Sequence, residues 1–144
     1  MYTRKFMEFR HEPTVIDMEK EDRSIKILIA EDNLLNQRII EILIKRMGWN
    51  YTLVGDGLEA VNECLNGEYD VILMDIDMPQ MNGWEATIEL RRKKVEIPII
   101  ALTAYSEESF RKKSFEVGMD KFLSKPYDKD EIYDAILNSV KSGK

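Results

Sequence analysis

Acidic, hydroxyl and lysine side chains follow four short apolar runs of the sequence. They are Glu31 and Asp32 after residues 27–30, Asp75 after 71–74, Thr103 after 99–102, and Lys125 after 122–124. If these runs are parallel strands of one sheet, their carboxyl ends meet at one edge, which is where open α/β sheets bind ligands. Three carboxylates, one hydroxyl and one ammonium would then share a single shallow pocket.

The three carboxylates predict a metal site. Glu31, Asp32 and Asp75 would lie close enough to repel one another and to raise one another's pKa. A divalent cation relieves that repulsion, and ligands that are all oxygens favour Mg²⁺. Because Mg²⁺ keeps several waters and takes one or two carboxylates, a phosphate oxygen could complete its coordination.

The remaining polar groups suit the transfer of a phosphoryl group. Lys125 supplies a compact positive charge, and Thr103 supplies a hydroxyl donor. Asp75 ends the strand that we expect at the centre of the sheet, so it is the best-placed nucleophile. Attack by an aspartate on phosphorus gives an acyl phosphate, while cationic groups neutralise the charge in transit.

Short apolar runs alternate with helical patterns from residue 25 onward. The predicted strands lie near 26–30, 51–54, 70–75, 97–103 and 121–124, and the predicted helices near 34–47, 57–66, 84–93, 106–117 and 128–141. Five strands alternating with five helices indicate an α/β fold with a parallel sheet covered on both faces. The strand cores are continuously apolar, as expected for strands that are buried on both sides.

Two helices carry apolar stripes that we expect to face the sheet. The stripes are Leu35, Ile39, Ile42, Leu43 and Met47 in the first helix, and Ile132, Ile136 and Val140 in the last. The second strand ends in Gly55-Asp56-Gly57 and carries no comparable set of reactive groups, which favours an edge position away from the pocket.

Composition excludes several classes of function. The chain has 144 residues and a net charge of -6, which argues against nucleic acid and anionic membranes as partners. No apolar stretch is long enough to cross a bilayer, so we expect no membrane insertion by this chain. A single cysteine, Cys64, excludes an internal disulfide and is compatible with the cytoplasm. Residues 1–24 show no sustained period and are predicted to be a tail or linker, with the domain over 25–142.

Five segments together resemble the receiver (phosphoacceptor) domain of two-component response regulators. They are Ile29-Ala30-Glu31-Asp32-Asn33, Leu73 to Pro79, Met81-Asn82-Gly83, Ala101-Leu102-Thr103-Ala104, and Phe122-Leu123-Ser124-Lys125-Pro126. The resemblance covers about 25–142 and is strongest to receivers that belong to hybrid histidine kinases. It implies a flavodoxin-like (βα)5 fold with strand order 2-1-3-4-5.

The resemblance also implies roles for single residues. Asp75 would accept a phosphoryl group from a phosphohistidine; Asp32, Asp75 and the backbone carbonyl of Asp77 would bind Mg²⁺ directly, with Glu31 acting through a metal-bound water. Lys125 and Thr103 would contact the phosphoryl group, and Phe122 would change rotamer as Thr103 moves inward. A cis peptide bond before Pro126 is expected to hold the lysine in place.

The implied function is a phosphorylation-activated switch in a phosphorelay. A histidine kinase or a histidine-phosphotransfer protein would be the donor, and a downstream protein would read the face formed by the fourth helix, fifth strand and fifth helix. Such a domain catalyses its own phosphorylation and dephosphorylation without being a conventional enzyme. We expect it either to signal by binding a partner or to be a piece of a longer hybrid kinase.

Two alternatives remain open from the sequence. Asp75-Ile76-Asp77 also spells the Asp-x-Asp of haloacid-dehalogenase-like phosphatases, although that class places the motif after its first strand. The other alternative is an interaction module that acts without phosphorylation, against which the intact Asp75, Thr103 and Lys125 argue. Tyr105, two residues past Thr103, could shield the pocket from water, so Tyr105→Ala is expected to shorten the lifetime of an aspartyl phosphate.

Overall fold

The computed structural model describes residues 25–142, so the predicted tail over 1–24 lies outside the described residues. Five strands form one sheet in which every paired strand is parallel. Their bounds are β1 (Lys26–Ala30), β2 (Asn50–Val54), β3 (Val71–Asp75), β4 (Ile99–Thr103) and β5 (Lys121–Ser124).

Five helices alternate with these strands. They are α1 (Leu34–Met47), α2 (Gly57–Asn66), α3 (Gly83–Arg92), α4 (Glu108–Val117) and α5 (Lys129–Ser142). The α3 helix begins one residue earlier than predicted, because the Asn82 and Glu85 side chains form a reciprocal capping box around its first turn. The α4 helix begins later than predicted, at Glu108, and Glu107 before it makes no side-chain cap.

The strand order is β2-β1-β3-β4-β5, which confirms the predicted flavodoxin-like topology. Every residue of β3 and β4 is buried, whereas β2 lies at the edge and is only partly buried, as its sequence indicated. The register pairs Asp75 with Leu102 and Thr103 with Ser124. The last residues of these strands therefore lie side by side at one edge of the sheet.

Each face of the sheet has its own hydrophobic core. One core includes Leu28, Ile72 and Ile99 from the strands together with Ala60 and Leu90 from α2 and α3. The other is formed by side chains from the opposite face of the strands and from α1 and α5. Its fully or almost fully buried members include Ile27, Ile29, Ile40, Ile44, Leu73, Ile100, Ile132 and Ile136. Because both faces of the sheet pack against helices, the strand ends at its carboxyl edge hold the side chains there in fixed positions.

The predicted stripe of α1 is wrong at Leu35, Ile39 and Ile42, although Met47 packs against the core as predicted, whereas the stripe of α5 is correct. In α1 the side chains buried against the sheet are Ile40 and Ile44, and those of Leu35, Ile39 and Ile42 are exposed. A spacing of four residues turns a helix by more than one full circle, so a long row at that spacing winds around the helix and cannot define one face. In α5 the predicted Ile132 and Ile136 are fully buried.

No helix among residues 25–142 is both long and apolar enough to span a membrane.

Candidate functional site

The carboxyl edge of the sheet opens into a cleft of about 550 Å³. Its lining combines residues that follow β1, β3, β4 and β5. They are Glu31, Asp32, Asn33, Asn36, Asp75, Asp77, Met78, Pro79, Ala104, Tyr105 and Lys125. Glu31 and Asp75 are buried, whereas Asp32 and Asp77 are exposed at the rim. Residues that are as much as 94 positions apart in the sequence therefore share one small volume.

Lys125 lies between two buried carboxylates. Its Nζ donates a hydrogen bond to Glu31 Oε1 at 2.9 Å and lies 3.5 Å from Asp75 Oδ2. The side chains of Glu31 and Asp75 are 1% and 6% exposed, and that of Lys125 is 16% exposed. A shared cation is what such a buried acidic pair requires, because an unpaired charge in the interior is strongly unfavourable. The peptide bond between Lys125 and Pro126 is cis, as the resemblance implied.

The start of α1 holds Glu31 in place. Asn33 caps the helix by accepting a hydrogen bond from the Asn36 backbone N–H, and its own N–H donates to Glu31 Oε2 at 3.2 Å. The Asn36 side-chain nitrogen, Nδ2, donates to the same Glu31 oxygen at 3.5 Å, and Gln37 Nε2 donates to the Glu31 backbone carbonyl at 2.6 Å. Asn36 and Gln37 were not predicted from the sequence. Their position in the first turn of the helix that follows β1 is the signal that could have indicated them.

The loop after β3 is packed tightly against Asp75. The Asp77 N–H donates to Asp75 Oδ1 at 3.2 Å, and the Gly83 N–H donates to the Ile76 carbonyl at 2.9 Å. A Cβ at Gly83 would lie 2.3 Å from the Asp75 carbonyl oxygen, closer than real Cβ contacts allow. Only glycine fits there, so the start of α3 can approach the strand end and fix the backbone that carries Asp75.

The Asp75 carboxyl has a strongly perturbed pKa. Burial, and after it the negative charge of Glu31, raise its pKa from 3.8 to about 7, although the Lys125 ammonium acts in the opposite direction. Burial also raises the pKa of the nearby Tyr127 hydroxyl, and the charges of Glu31 and Asp75 add to that effect. Asp75 therefore holds a proton more readily than an ordinary aspartate when no cation is bound.

The acidic residues at this edge fit a divalent cation. Glu31, Asp32 and Asp75 each offer a carboxylate oxygen, and the three atoms lie within 4.8 Å of one another. All three are hard oxygen donors, which Mg²⁺ and Ca²⁺ prefer. A cation would also relieve the repulsion that raises the Asp75 pKa.

Thr103 and Phe122 lie on the neighbouring strands. Thr103 is 1% exposed, and its Oγ1 accepts a hydrogen bond from the Tyr105 N–H at 3.0 Å. Phe122 is half-buried on β5 and packs against the core on the α3 side of the sheet. The Thr103 carbonyl also accepts a hydrogen bond from the Lys125 N–H at 2.7 Å, which ties the ends of β4 and β5 together.

Comparison with known proteins gives a consistent result. The family model of the response regulator receiver domain matches residues 27–137. Hybrid signal transduction histidine kinase I of Dictyostelium discoideum is 38% identical over 80% of this chain and 7% of its own length. The chain spans between 6% and 13% of the first histidine kinases that it matches, so the matched region is a small part of much larger proteins.

Two solved structures share the fold over most of the chain. The receiver domain of the sensor histidine kinase PA1611 from Pseudomonas aeruginosa, solved with a magnesium ion in its active-site cleft, is 36% identical. That match has a TM-score of 0.77 and covers 82% of this chain and 98% of the other. The Saccharomyces cerevisiae complex of the phosphotransfer protein Ypd1 with the Ssk1 receiver domain gives 28% identity and a TM-score of 0.77. It covers 82% of this chain and 90% of the other.

Proposed function

Because the chain belongs to the response regulator receiver domain family, we propose that it is a phosphorylation-controlled switch in a phosphorelay, with Asp75 as the phosphoryl acceptor. One observation carries this proposal: Asp75 ends the central strand beside Lys125 and within a cluster of carboxylates that fits a divalent cation. The phosphatase alternative is not favoured, because the family that matches is that of receiver domains.

The surroundings of Asp75 suit its carboxylate to nucleophilic attack on phosphorus. A carboxylate oxygen attacks the phosphorus of a phosphohistidine and forms an acyl phosphate. The P–N bond breaks, and the imidazole is the leaving group. Lys125, 3.5 Å from Asp75 Oδ2, neutralises charge on the transferring group. The Asp77 N–H bond to Asp75 Oδ1 helps to orient the carboxylate, leaving the other oxygen toward the cleft and the lysine.

We propose that the cation is Mg²⁺, held by Asp32, Asp75 and the backbone carbonyl of Asp77. When bound, it supplies positive charge to the equatorial oxygens of the phosphoryl group. Glu31 is suited to act through water rather than directly, because Oε1 already accepts from Lys125 and Oε2 accepts from Asn33. The magnesium ion in the similar PA1611 receiver supports this assignment.

Phosphorylation would act on Thr103 and Phe122. The Thr103 hydroxyl accepts from the Tyr105 N–H, so its own proton is available to a phosphoryl oxygen when the side chain moves inward. Movement of Thr103 would open space next to Phe122, whose position on the neighbouring strand lets it follow. The added charge favours the conformer in which these contacts form, and the α4-β5-α5 face would present that conformer to a downstream protein.

The phosphoryl donor would dock on α1. The α1 residues Leu34, Leu35, Ile39 and Ile42 are 78%, 69%, 44% and 49% exposed, and the helix starts two residues after Asp32, which lines the cleft. Exposed apolar side chains in such a group are typical of a protein interface. A histidine kinase or a histidine-phosphotransfer protein that bound there would bring its histidine toward Asp75, and the Ypd1 complex of a similar receiver supports a donor of that kind.

We further propose that residues 25–142 are a receiver domain that works in the cytoplasm as part of a hybrid histidine kinase. In that setting its chemistry is limited to its own phosphorylation and dephosphorylation.

Incubation with acetyl phosphate tests the proposal. With Mg²⁺ present, intact-mass spectrometry should show a gain of about 80 Da, the mass of one phosphoryl group. The gain should disappear when EDTA removes the metal and when Asp75 is replaced by Asn. No gain in the presence of Mg²⁺, or an equal gain in Asp75→Asn, would contradict the assignment of Asp75.

A further inference from the structure

Three aromatic rings form a continuous stack beside the cleft. The Tyr105 and Phe110 rings have centroids 4.8 Å apart and an interplanar angle of 22°. The Phe110 and Trp84 rings are 5.2 Å apart at 37°. The stack therefore runs from the loop after β4, through the first turns of α4, to the first turn of α3.

The Trp84 end of the stack is firmly anchored. Trp84 Nε1 donates a hydrogen bond to Ser114 Oγ at 3.0 Å, and that hydroxyl donates to the Phe110 carbonyl at 2.8 Å. Ser114 is fully buried. The Lys113 ammonium lies 4.6 Å from the centre of the Trp84 ring, which is a cation–π contact. Phe110 is thus held between a fixed indole and the Tyr105 ring.

The Tyr105 end of the stack lies at the cleft. Tyr105 lines the cleft together with Asp75 and Lys125, and it is 42% exposed. The Tyr105 backbone N–H donates a hydrogen bond to Thr103 Oγ1, which fixes the backbone, whereas the Tyr105 ring stacks on Phe110. An exposed ring with one stacked neighbour depends on that neighbour for its orientation, because offset stacking favours a narrow range of geometries.

We propose that Phe110 is a positioning residue that holds Tyr105 across the mouth of the cleft and so slows loss of the phosphoryl group from Asp75. This inference rests on the proposed function. In the step concerned, a water oxygen attacks phosphorus and the bond between phosphorus and the Asp75 oxygen breaks. The carboxylate is regenerated, inorganic phosphate leaves with the oxygen and one proton of the water, and the second proton passes to solvent. An ordered Tyr105 ring excludes water from that approach, and a mobile ring admits it.

The decay rate of the phosphorylated protein tests this role. Wild type and Phe110→Leu are phosphorylated with acetyl phosphate and Mg²⁺, the reagent is removed, and the phosphorylated fraction is followed by intact mass. Phe110→Leu should decay roughly two- to tenfold faster, the range that corresponds to one stacked aromatic pair. Phe110→Tyr, which keeps a ring, should decay like wild type. Phe115→Leu is the matched control, because Phe115 is an exposed ring of the same helix that contacts Arg111.

A double variant separates positioning from a general loss of structure. Tyr105→Leu alone should decay faster, and adding Phe110→Leu to it should change the rate no further. Equal decay in Phe110→Leu and wild type, or an unchanged effect of Phe110→Leu in the Tyr105→Leu background, would overturn the inference. If Phe110→Leu unfolds, Phe110→Met fills a similar volume without a ring and serves the same comparison. Failure of wild type to gain a phosphoryl group would instead overturn the proposed function itself.

Discussion

Lys125 Nζ lies closer to Glu31 Oε1, at 2.9 Å, than to Asp75 Oδ2, at 3.5 Å. The lysine that is expected to meet the phosphoryl group is therefore held in advance by a neighbouring carboxylate. Glu31 is itself fixed by the first turn of α1 through Asn33 and Asn36. The Glu31–Lys125 pair keeps the ammonium at the cleft before a phosphoryl group arrives, so little reorganisation is needed during transfer.

Removing this ammonium tests its role. Lys125→Met should slow phosphorylation by acetyl phosphate roughly a hundredfold, the effect typical of removing a preorganised donor to a charged transition state. It should also raise the Asp75 pKa further, because the positive charge of Lys125 acts to lower that pKa. The rate of mass gain at saturating Mg²⁺ is the measurement. Lys121→Met, at the other end of β5, is the control, and an equal loss of rate in both variants would contradict the role of Lys125.

The raised pKa of Asp75 predicts how stability depends on pH. Between 3.8 and about 7 the folded protein keeps a proton on Asp75 that the unfolded chain has released. The resulting contribution to stability is complete below the unfolded pKa and is lost as the pH rises through the folded pKa. In EDTA, the free energy of unfolding of wild type should therefore fall across this interval relative to that of Asp75→Asn.

Urea unfolding of both proteins at a series of pH values gives that difference. Saturating Mg²⁺ should oppose the fall, because the cation binds the ionised carboxylate and competes with the proton. The same pH dependence in wild type and Asp75→Asn would show that Asp75 does not titrate in this range.

The exposed face of α1 predicts a selective defect in transfer between proteins. Leu35→Asn should slow transfer from a phosphorylated histidine-phosphotransfer protein roughly fivefold or more, the loss expected for a contributing interface side chain. It should leave phosphorylation by acetyl phosphate unchanged, because Leu35 is 69% exposed and belongs to neither hydrophobic core of the described residues. Leu65→Asn changes a leucine that is 44% exposed on α2 and serves as the control. If Leu35→Asn and wild type accept the phosphoryl group from the protein donor at equal rates, the proposed docking of the donor on α1 is wrong.

The close packing around Gly83 predicts that a larger side chain there disturbs the loop after Asp75. A Cβ there would lie 2.3 Å from the Asp75 carbonyl oxygen and 2.9 Å from the Ile76 Cα, both backbone atoms. Gly83→Ala should lower the free energy of unfolding by about 1–3 kcal/mol and should weaken Mg²⁺ binding, because the backbone beside Asp75 must shift. At Gly55 a Cβ would meet only Glu59 Oε1, at 3.7 Å, so Gly55→Ala is the matched control. An equal effect of both substitutions on urea unfolding would contradict this explanation.

The positions of the cleft residues could be predicted because they follow from strand ends. Parallel strands bring their carboxyl ends to one edge, so the placement of Glu31, Asp75 and Lys125 depends only on the identity of the strands and their order. The buried face of α1 could not be predicted, since apolar residues surround much of that helix and periodicity alone does not select Ile40 and Ile44.

The contacts between particular side chains also could not be predicted from the sequence. The pairing of Glu31 with Lys125 joins residues 94 positions apart, and the stack of Tyr105, Phe110 and Trp84 depends on how α3 and α4 pack together. Such contacts are decided by rotamers and by distances between elements, which residue types and spacing do not contain.

Locating the phosphoryl group tests the central claim most directly. The protein is phosphorylated with acetyl phosphate and Mg²⁺, an acyl phosphate is reduced with borohydride, and the modified residue is identified by peptide sequencing in a mass spectrometer. Reduction of an aspartyl phosphate leaves homoserine, and we expect homoserine at position 75 and at no other acidic residue of the cleft. Homoserine at Asp32 or Asp77, or a stable phosphoryl group on any other side chain, would contradict the assignment of Asp75 as the acceptor.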